Sequence, residues 1–377
     1  LDLQWDDNLA EERHIEMRSA YLTPGPRSAY LAGRTHYQPA TVFTEPRRYE
    51  RDLGDPDFGI YHMSPPDERG YMSFGFAMWD NKITLRRSRT VIAEVASNVV
   101  RTAGDNFVHV DEVDYLVPVP DDAMPNVTPR IPDRDEGQLA RLDLAGAFAA
   151  ELVRDGDTVE IGVGAASNAV TPHLASKRDL GYHSELTGPG IATLFAEGVF
   201  NGSRKSRDVG KMVVTALPGI PDELAIAQQH FDDWLVFGVD YIHDPAVIAS
   251  QSNMTSINTG TMIDLTGQFV FDSMGREMYT GPGGQLEFVI GAVYAPGGRS
   301  IHVLPATAGE TSRIVCELPP GANVGIPRYL TDLVVTEFGV ASLFGKTERD
   351  RARELIAIAD PDHRADLTKQ ARAKGLL

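Results

Sequence analysis

The sequence predicts an α/β fold in two domains, with mostly parallel sheets flanked by helices. The first observation is the length of the chain. A chain of 377 residues with 42% hydrophobic content is too long for one simple hydrophobic core and suits two domains. The second is the alternation of short β-branched runs with polar or helical stretches, which is typical of buried parallel strands. The third is segment 118–137 (PVPDDAMPNVTPRIPDRDEG), which is rich in proline and acid. We expect an N-terminal domain at 1–120, a linker at 121–137 and a C-terminal domain at 138–377.

The individual elements follow from the same patterns. Asp143–Val153 (DLAGAFAAELV) has the apolar spacing of an amphipathic helix, and a DGD turn then leads into the strand Thr158–Val163 (TVEIGV). The last helix is predicted at 348–359. Further strands are predicted at 90–95, 114–117, 211–216, 300–304, 313–317 and 333–336. Because strands alternate with helices, the connections favour parallel sheets.

The formal net charge of −18 limits the classes of partner. A field of this sign repels phosphates, so nonspecific binding to nucleic acid or to an anionic membrane is disfavoured. Cys316 is the only cysteine, which excludes an internal disulfide, and no apolar run is long enough to cross a bilayer. These features favour a cytoplasmic protein. The chain begins at Leu1 without an initiator methionine or a signal-peptide profile, and we expect a native N-terminal segment to precede it.

The first glycine-rich loop, GVGAASNAV (162–170), follows the strand predicted at 158–163. Small residues at such a position allow backbone N–H groups at a helix N-terminus to approach an anionic ligand. Gly162, Gly164 and Asn168 are therefore candidate substrate-binding residues. The third glycine of a dinucleotide fingerprint is absent, which disfavours a nicotinamide cofactor. The alternative is a strand-to-helix turn that needs small residues only for packing.

The second glycine-rich loop, GPGGQLEF (281–288), follows Tyr279 and Thr280. Consecutive glycines after a strand can direct two amides at one oxygen, the arrangement that stabilises an oxyanion during acyl transfer. Gly283 and Gly284 are the candidate catalytic amide donors, and Gln285 is a candidate substrate-binding residue. The alternative is a tight turn. Neither loop has the GxxxxGK[ST] order of a P-loop, so phosphoryl transfer is not supported.

Several segments, in their order along the chain, are similar to those of one known family. They are SPPDERGYMSFG (64–75), GDNFVHVDEVDY (104–115), DTVEIGVGAASNAV (157–170), DLGYHSEL (179–186), IDLTGQ (263–268), GPGGQLEFVIGA (281–292) and VVTEFGVASLFGK (334–346). Through them the chain resembles the acetyl-CoA hydrolase/CoA-transferase family, which includes 4-hydroxybutyrate, succinate/acetate and butyrate CoA-transferases. The resemblance implies two similar α/β domains with the active site in the interdomain cleft, and a homodimer or higher homo-oligomer. It implies no metal and no cofactor beyond coenzyme A as part of the substrate.

One position differs from the family pattern, and it is the position of the family's catalytic nucleophile. Such transferases attack a thioester with a glutamate in a segment of the form S-I-N-[ST]-x-[IL]-E-x-D-[LI]-x-G, and form a glutamyl-CoA thioester. This chain reads SINTGTMIDLTG (256–267), so the resemblance places Met262 at the glutamate position, with Asn258 and Asp264 fixing the register. A thioether cannot form that intermediate. Met262 is instead a candidate for the wall of the acyl site, with core packing as the alternative.

Two side chains are candidates for proton transfer. Glu287 lies in the second glycine loop, where the family has aspartate, and it is a candidate general base. The alternative is a structural carboxylate that accepts hydrogen bonds from backbone amides. His62 precedes the SPP segment at 64–66, and its ordinary pKa near neutrality suits proton transfer. The alternative for His62 is a hydrogen bond to nearby backbone.

Other residues are candidates for binding or were weighed as nucleophiles. His183 and Glu185 match a family segment and are expected to organise the substrate loop, and Tyr279 is expected to line an apolar wall. Cys316 lies in a predicted buried strand and is expected to behave as a small hydrophobic residue. The basic run RKSR (204–207) is either a contact for CoA phosphates or an exposed turn of solvated cations.

The residues and the resemblance together favour an enzyme that uses an acyl-CoA thioester. It would hold the thioester carbonyl at Gly283 and Gly284 and pass the acyl group to an acceptor other than a carboxylate, namely water, an amine or an alcohol. The alternative is a conventional carboxylate CoA-transferase, in which another carboxylate such as Glu287 replaces the missing glutamate. A third alternative is a non-catalytic protein that binds CoA esters.

Overall fold

The protein was analysed as a computed structural model that describes residues 17–49, 51, 54–120, 134–217 and 220–377. The N-terminal part contains a parallel pair of strands and a three-stranded parallel sheet with β5 at its centre. Its strands are β1 (Met17–Ser19), β2 (Thr35–Tyr37), β3 (Phe58–Met63), β4 (Tyr71–Ser73), β5 (Thr90–Val95), β6 (Ala103–Gly104), β7 (Phe107–His109) and β8 (Tyr115–Pro118). Its helices are α1 (Pro24–Leu31) and α2 (Asn81–Arg87).

A nine-stranded sheet dominates the rest of the described chain, in the order β23-β22-β18-β13-β9-β10-β11-β12-β6. Its strands after β6 are β9 (Thr158–Ile161), β10 (Gly181–Leu186), β11 (Met212–Ala216), β12 (Trp234–Val236), β13 (Met254–Thr259), β18 (Arg299–Val303), β22 (Leu333–Thr336) and β23 (Gly339–Ser342). Every pairing is parallel except that of β22 with β23. The prediction of an α/β fold with mostly parallel sheets is therefore confirmed.

Helices connect these strands and cover the sheet. They are α3 (Glu136–Glu151), α4 (Ala165–Asn168), α5 (Ile191–Ala196), α6 (Pro221–Gln229), α7 (Val239–Ile242), α8 (Pro245–Ala249), α9 (Gln285–Tyr294), α10 (Glu348–Ile358) and α11 (Pro361–Ala373). Side-chain caps fix several of their starts, since Asp135 accepts from the Gln138 N–H and Thr347 accepts from the Asp350 N–H. Such caps satisfy amides that have no partner within the helix.

Short strands form the loops beside the large sheet. They are β14 (Met262–Asp264), β15 (Phe269–Val270), β16 (Ser273–Met274), β17 (Glu277–Met278), β19 (Thr307–Ala308), β20 (Thr311–Ser312) and β21 (Ile314–Val315). The strand β14 pairs antiparallel with β15 and parallel with β21, and Met262 lies opposite Val270. This small sheet carries the segment in which the resemblance expects a glutamate.

The strands predicted at 90–95, 114–117, 211–216, 300–304 and 333–336 occur within one residue of their expected bounds. Four other elements differ, and the first is the strand expected at 158–163, which ends at Ile161. The helix expected at 143–153 begins at Glu136, inside the expected linker, because the Asp135 cap starts it earlier. The strand expected at 313–317 is only Ile314–Val315, and α11 follows the helix that was expected to be the last. The proline at 361 begins α11 because proline fits the first turn of a helix.

Buried apolar side chains from both predicted domains belong to one cluster. Met63 and Met72 of the N-terminal part are fully buried in it together with Ile257 of the large sheet. The β6–β12 pairing also joins the two parts. Residues 121–133 of the expected linker lie outside the described residues, and the division at 1–120 and 138–377 stays a prediction. No helix among the described residues is long and apolar enough to span a membrane.

Candidate active site

A cavity of about 370 Å³ opens at the carboxyl ends of β9 and β13. Ligands of open α/β sheets bind at this edge, outside the carboxyl ends of the strands. Residues of both predicted domains line it. They are Tyr21, Leu22, Thr23 and Arg27 from the N-terminal part, and Glu160, Gly162, Val163, Glu185, Asn258, Thr259, Gly260, Thr261, Phe271, Tyr279, Thr280, Gly281, Pro282, Gly283, Gly284, Gln285 and Phe288 from the remainder.

A carboxylate and a histidine form a hydrogen-bonded pair in this cavity. His243 Nε2 lies 2.9 Å from Glu185 Oε2, and the Gly284 N–H donates to the same oxygen at 3.0 Å. The His243 side chain is fully buried, whereas that of Glu185 is 17% exposed. Because an ionised carboxylate accepts hydrogen bonds and cannot donate them, Nε2 of His243 is the donor in the tautomer that fits an ionised Glu185. The pair is therefore arranged as a fixed proton acceptor at the cavity surface.

Gly284 makes this arrangement possible. It precedes α9, and its amide donates to Glu185, so the positive end of the helix dipole lies against the carboxylate. A Cβ atom at position 284 would clash with the imidazole of His243 and lie 2.8 Å from Glu185 Oε2. A glycine is needed at this position because the helix N-terminus approaches two other side chains too closely for any larger residue.

A second carboxyl group, that of Glu160, lies in the wall of the same cavity. It belongs to β9, and the residue is 1% exposed. Asn258 Nδ2 donates to Glu160 Oε2 at 2.8 Å and to Ser256 Oγ at 2.9 Å. Burial raises the pKa of Glu160 to about 8, and the nearby charge of Glu185 contributes in the same direction. Glu160 is therefore mainly protonated at neutral pH.

An aromatic and cationic wall faces these carboxyl groups. The guanidinium of Arg27 lies over the Tyr279 ring, 3.8 Å from its centroid, and Arg27 also donates to the Leu22 carbonyl at 3.1 Å. A guanidinium in this position is attracted to the face of the aromatic ring. Burial raises the pKa of the Tyr21 hydroxyl, which therefore stays neutral. The cavity thus offers Arg27 as a positive charge opposite the Glu185 carboxylate.

The structure brings together some of the predicted site residues. Gly162, Tyr279, Gly283, Gly284 and Gln285 line the cavity. The Gly284 amide is already bonded to Glu185, so of the two expected amide donors only that of Gly283 has no hydrogen-bond partner among the described residues. Of the two amides that were expected to be free of partners, only the Gly283 N–H is free in the described part of the chain.

Other predicted site residues do not line the cavity. His183 is fully buried, its Nε2 bonds to the Ile242 carbonyl at 3.0 Å, and burial lowers its pKa to about 3. Gly164 and Asn168 flank the cavity wall at the start and end of α4. His62 lies in β3, and burial lowers its pKa. The assigned roles of these residues stay predictions.

Glu287 and Met262 also lie outside the cavity lining. Glu287 was expected in a loop, but it belongs to the first turn of α9, because the glycine loop ends at Gly284 and helix begins at Gln285. Glu287 is 4% exposed, and burial raises its pKa. Met262 is half-buried and begins β14, directly after the cavity residue Thr261. The roles assigned to both residues likewise stay predictions.

Two site residues escaped the sequence analysis. Glu160 left a signal, because it is the only charged residue in an otherwise apolar strand, TVEI. His243 left none, because it lies 58 positions from Glu185 and no local pattern relates them. Glu185 was assigned to loop organisation, and its contacts with His243 and Gly284 became visible only in the fold.

The remaining candidates lie elsewhere. Cys316 is 5% exposed, burial raises the pKa of its thiol, and it lines a separate cavity of about 410 Å³. In the basic run 204–207, Lys205 is buried and donates to the carbonyls of Tyr182 and Lys211. Within the described residues, no cluster of three or more histidine, cysteine, aspartate or glutamate side chains is placed to hold a metal ion.

Comparison with known proteins places this fold and site in one family. The N-terminal domain profile of acetyl-CoA hydrolase/transferase matches residues 3–128, and the C-terminal domain profile matches residues 225–371. The chain is 36% identical over 365 residues to 4-hydroxybutyrate coenzyme A transferase of Clostridium kluyveri, covering 96% of this chain and 83% of the relative. It is 34% identical over 361 residues to succinyl-CoA:cyclohexane-1-carboxylate CoA transferase of Geobacter metallireducens, covering 95% and 80%.

A solved structure is also similar to this chain in fold and in sequence. The crystal structure of RipA from Yersinia pestis superposes with a TM-score of 0.88 at 32% identity, covering 96% of this chain and 82% of RipA. The relatives named above are CoA transferases, and this chain is an enzyme of the same family. On these grounds the protein belongs to the acetyl-CoA hydrolase/transferase family.

Proposed function

We propose that this protein binds an acyl-CoA thioester in the cavity and transfers the acyl group to a non-carboxylate acceptor, without a glutamyl-CoA intermediate. The acceptor is water, an amine or an alcohol. The observation that carries the proposal is the Glu185–His243 pair, whose carboxylate reaches the cavity surface while two donors hold one of its oxygens. A carboxylate so fixed is suited to accept a proton from an attacking group.

The thioester would lie along the glycine loop. The Gly283 N–H, which has no partner among the described residues, would donate to the thioester carbonyl oxygen and stabilise the oxyanion that develops there. Glu185 would then remove the proton from the acceptor as it attacks the carbonyl carbon. Coenzyme A leaves as the thiol, and His243 holds Glu185 in place throughout.

The proposed absence of a covalent intermediate rests on one thioether and one carboxyl group. Met262 occupies the position at which the family pattern expects glutamate, and a thioether cannot form an anhydride. Glu160 is mainly protonated at neutral pH, since burial raises its pKa to about 8, and a protonated carboxyl is a poor nucleophile. Neither residue is therefore suited to attack the thioester under ordinary conditions.

A conventional CoA-transferase is the second candidate, and the names of the relatives favour it. Both relatives described above are CoA transferases, and the Geobacter metallireducens protein acts on a carboxylate according to its name. In this reading Glu185 would itself attack the thioester, because it is the carboxylate at the cavity surface with 17% of its side chain exposed. The two functions differ in whether coenzyme A becomes attached to the protein.

The deciding experiment measures whether coenzyme A is released as a free thiol or becomes attached to the protein. The protein is incubated with acetyl-CoA, butyryl-CoA and 4-hydroxybutyryl-CoA, each with acetate, with a primary amine, with an alcohol or with buffer alone. Intact-protein mass spectrometry and release of free thiol are recorded in parallel. The Cys316→Ser variant is the matched control, since it removes the only thiol that could carry an unrelated adduct. Thiol release without a protein adduct supports the proposal.

Two outcomes would overturn it. Acetate-dependent CoA exchange with a CoA adduct that hydroxylamine removes would establish the conventional transferase. Tight thioester binding with no thiol release under any of these conditions would establish the non-catalytic alternative. The compound that accelerates thiol release identifies the acceptor class, and release in buffer alone identifies a hydrolase.

A further inference from the structure

We propose that Glu160 is a further catalytic residue, which donates the proton to the sulfur of the departing coenzyme A. This inference rests on the acyl transfer proposed above, in which Glu185 is the base, and it assigns Glu160 as the acid of the same reaction. The carboxyl group lies in the wall of the cavity that contains Glu185, on the central strand β9 of the large sheet. No step of the transfer described so far uses it.

The position of Glu160 is unusual for a residue without a chemical role. A carboxyl group in a fully buried strand costs free energy unless it is neutral or well paired. Its hydrogen-bond partners are the side chains of Asn258 and Ser256 and the backbone of Ile257, all of them uncharged, and no cation forms an ion pair with Glu160 among the described residues. An apolar residue in this strand would avoid the cost, so a chemical role explains its presence better than stability does.

The wall around Glu160 borders the cavity, because Glu160, Gly162 and Asn258 all line it. A Cβ atom at position 162 would clash with Asn258 Oδ1 and lie 3.4 Å from Glu160 Oε1. Glycine at 162 therefore leaves room for the Asn258 side chain that bonds to Glu160 Oε2. In the proposed step the thioester sulfur lies against this wall.

The charged and titratable groups that surround Glu160 favour its neutral form. Glu185 faces it from β10, and Tyr182 of the same strand is fully buried and stays neutral because burial raises its pKa. His243 is bonded to Glu185 from α7's C-terminal end. Asn258 and Ser256 face it from β13 and carry no charge. Burial is the larger cause, and it raises the pKa of Glu160 to about 8.

Two carboxyl groups with different environments in one cavity suit opposite roles. Glu185 is partly exposed and accepts two hydrogen bonds on one oxygen, as a base should. Glu160 is buried and holds its proton to higher pH, as an acid should. When the environments of two such groups move their pKa values apart, the group with the higher pKa can be assigned as the acid and the other as the base. The ordinary pKa of a cysteine thiol is about 8.5, close to that of this acid, which allows Glu160 to protonate a developing thiolate.

The proposed step is balanced. The acceptor oxygen or nitrogen bonds to the thioester carbon, and its proton passes to Glu185. The carbon–sulfur bond breaks, and the sulfur takes the proton of Glu160. Glu185 is then protonated and Glu160 ionised, and one proton passing from the first to the second, through solvent or product, restores both. The net reaction converts a thioester and an acceptor into an acyl product and free coenzyme A.

The test compares two leaving groups in the Glu160→Gln variant. The probes are butyryl-CoA, whose thiolate needs a proton, and the 4-nitrophenyl thioester of butyrate, whose thiolate leaves without one. We expect kcat for butyryl-CoA to fall 10²–10⁴-fold, the usual contribution of a general acid, and the rate for the aryl thioester to fall less than about tenfold. The control is Glu223→Gln, a buried glutamate outside the cavity lining that accepts from the Gly190 and Ala192 amides.

A merely structural role for Glu160 predicts equal losses with both probes, and that result would overturn the inference. The wild-type protein provides a second test if Glu160→Gln does not fold. Its rate with butyryl-CoA should decline above pH about 8, where Glu160 ionises, while its rate with the aryl thioester should not. Parallel pH profiles would also overturn the inference.

The result can be separated from the fate of the proposed function. If wild-type protein transfers acyl groups to water, an amine or an alcohol but shows no leaving-group selectivity, only the role of Glu160 is wrong. If it instead exchanges coenzyme A between carboxylates through a protein adduct, both the proposed function and the role of Glu160 are wrong. An adduct located at Glu160 itself would assign that residue as a nucleophile and not as an acid.

Discussion

His243 Nε2 lies 2.9 Å from Glu185 Oε2, the oxygen that also accepts the Gly284 N–H at 3.0 Å. One contact comes from the end of α7 and the other from the start of α9, so two separate elements orient a single carboxylate. Because both donors bind the same oxygen, the other oxygen of Glu185 is not needed to hold the group. It is therefore available to a ligand in the cavity.

Replacing Glu185 with glutamine should abolish most of the activity. The amide oxygen can still accept from the Gly284 N–H, but the side chain cannot take a proton, so kcat for acyl transfer should fall 10²–10⁴-fold with little change in KM. Steady-state thiol release measures this. Glu223→Gln is the control, and it should retain wild-type kcat because Glu223 does not line the cavity. An unchanged kcat in Glu185→Gln would remove the assigned base.

Replacing Met262 with glutamate should give the protein a covalent intermediate. Met262 begins β14 directly after the cavity residue Thr261, at the position where the family pattern has its nucleophile. After incubation with butyryl-CoA, intact-protein mass spectrometry should detect a CoA adduct with release of butyrate, and acetate should then accept the coenzyme A to give acetyl-CoA. Met262→Gln is the matched control and should form none. A folded Met262→Glu variant that binds the thioester without forming an adduct would contradict the assigned position.

The raised pKa of Glu160 should appear in the pH dependence of stability. Its value is about 8 in the folded protein against an ordinary 4.5, so the folded state binds the proton more tightly. The corresponding stabilisation is fully present below pH 4.5 and is lost as the pH rises toward 8, because only the unfolded chain releases its proton in this range.

Urea denaturation of wild type and Glu160→Gln from pH 4.5 to above 8 measures this effect. The free energy of unfolding of wild type minus that of the variant should decrease with pH by up to about 1.4 kcal/mol per unit, then level off above about 8. Subtracting the variant removes the contributions of other titrating groups. A difference that does not change with pH would mean that Glu160 is ionised in the folded protein.

Replacing Gly284 with alanine should damage both stability and activity. The added Cβ would clash with the His243 ring and lie 2.8 Å from Glu185 Oε2, so α9 or the pair must shift. We expect the free energy of unfolding to fall by roughly 1–3 kcal/mol, with loss of thiol release. The control is Gly137→Ala in the first turn of α3, where the nearest atom is the cap oxygen of Asp135 at 3.3 Å. That variant should stay within about 1 kcal/mol of wild type.

The sequence anticipated those parts of the fold and site that depend on local pattern. The β-branched runs at 90–95 and 333–336 became strands with the expected bounds, because β-branched residues pack well in strands. The glycines at 162, 283 and 284 became cavity residues, because small residues after strands allow a ligand to approach the backbone. Ordered segments along the chain also sufficed to place it in the correct family.

Only the tertiary structure decided which side chains meet. His243 and Glu185 are 58 positions apart, and Glu160 and Asn258 are 98 apart, so no local spacing relates either pair. Burial, which raises the pKa of Glu160, depends on the strands β10 and β13 that flank β9. The fold class, the family and the glycine loops could be predicted from the residues alone, since these depend on neighbours along the chain. The contacts of Glu185 with His243 and of Glu160 with Asn258 run across the sheet, and these exist only once the chain has folded.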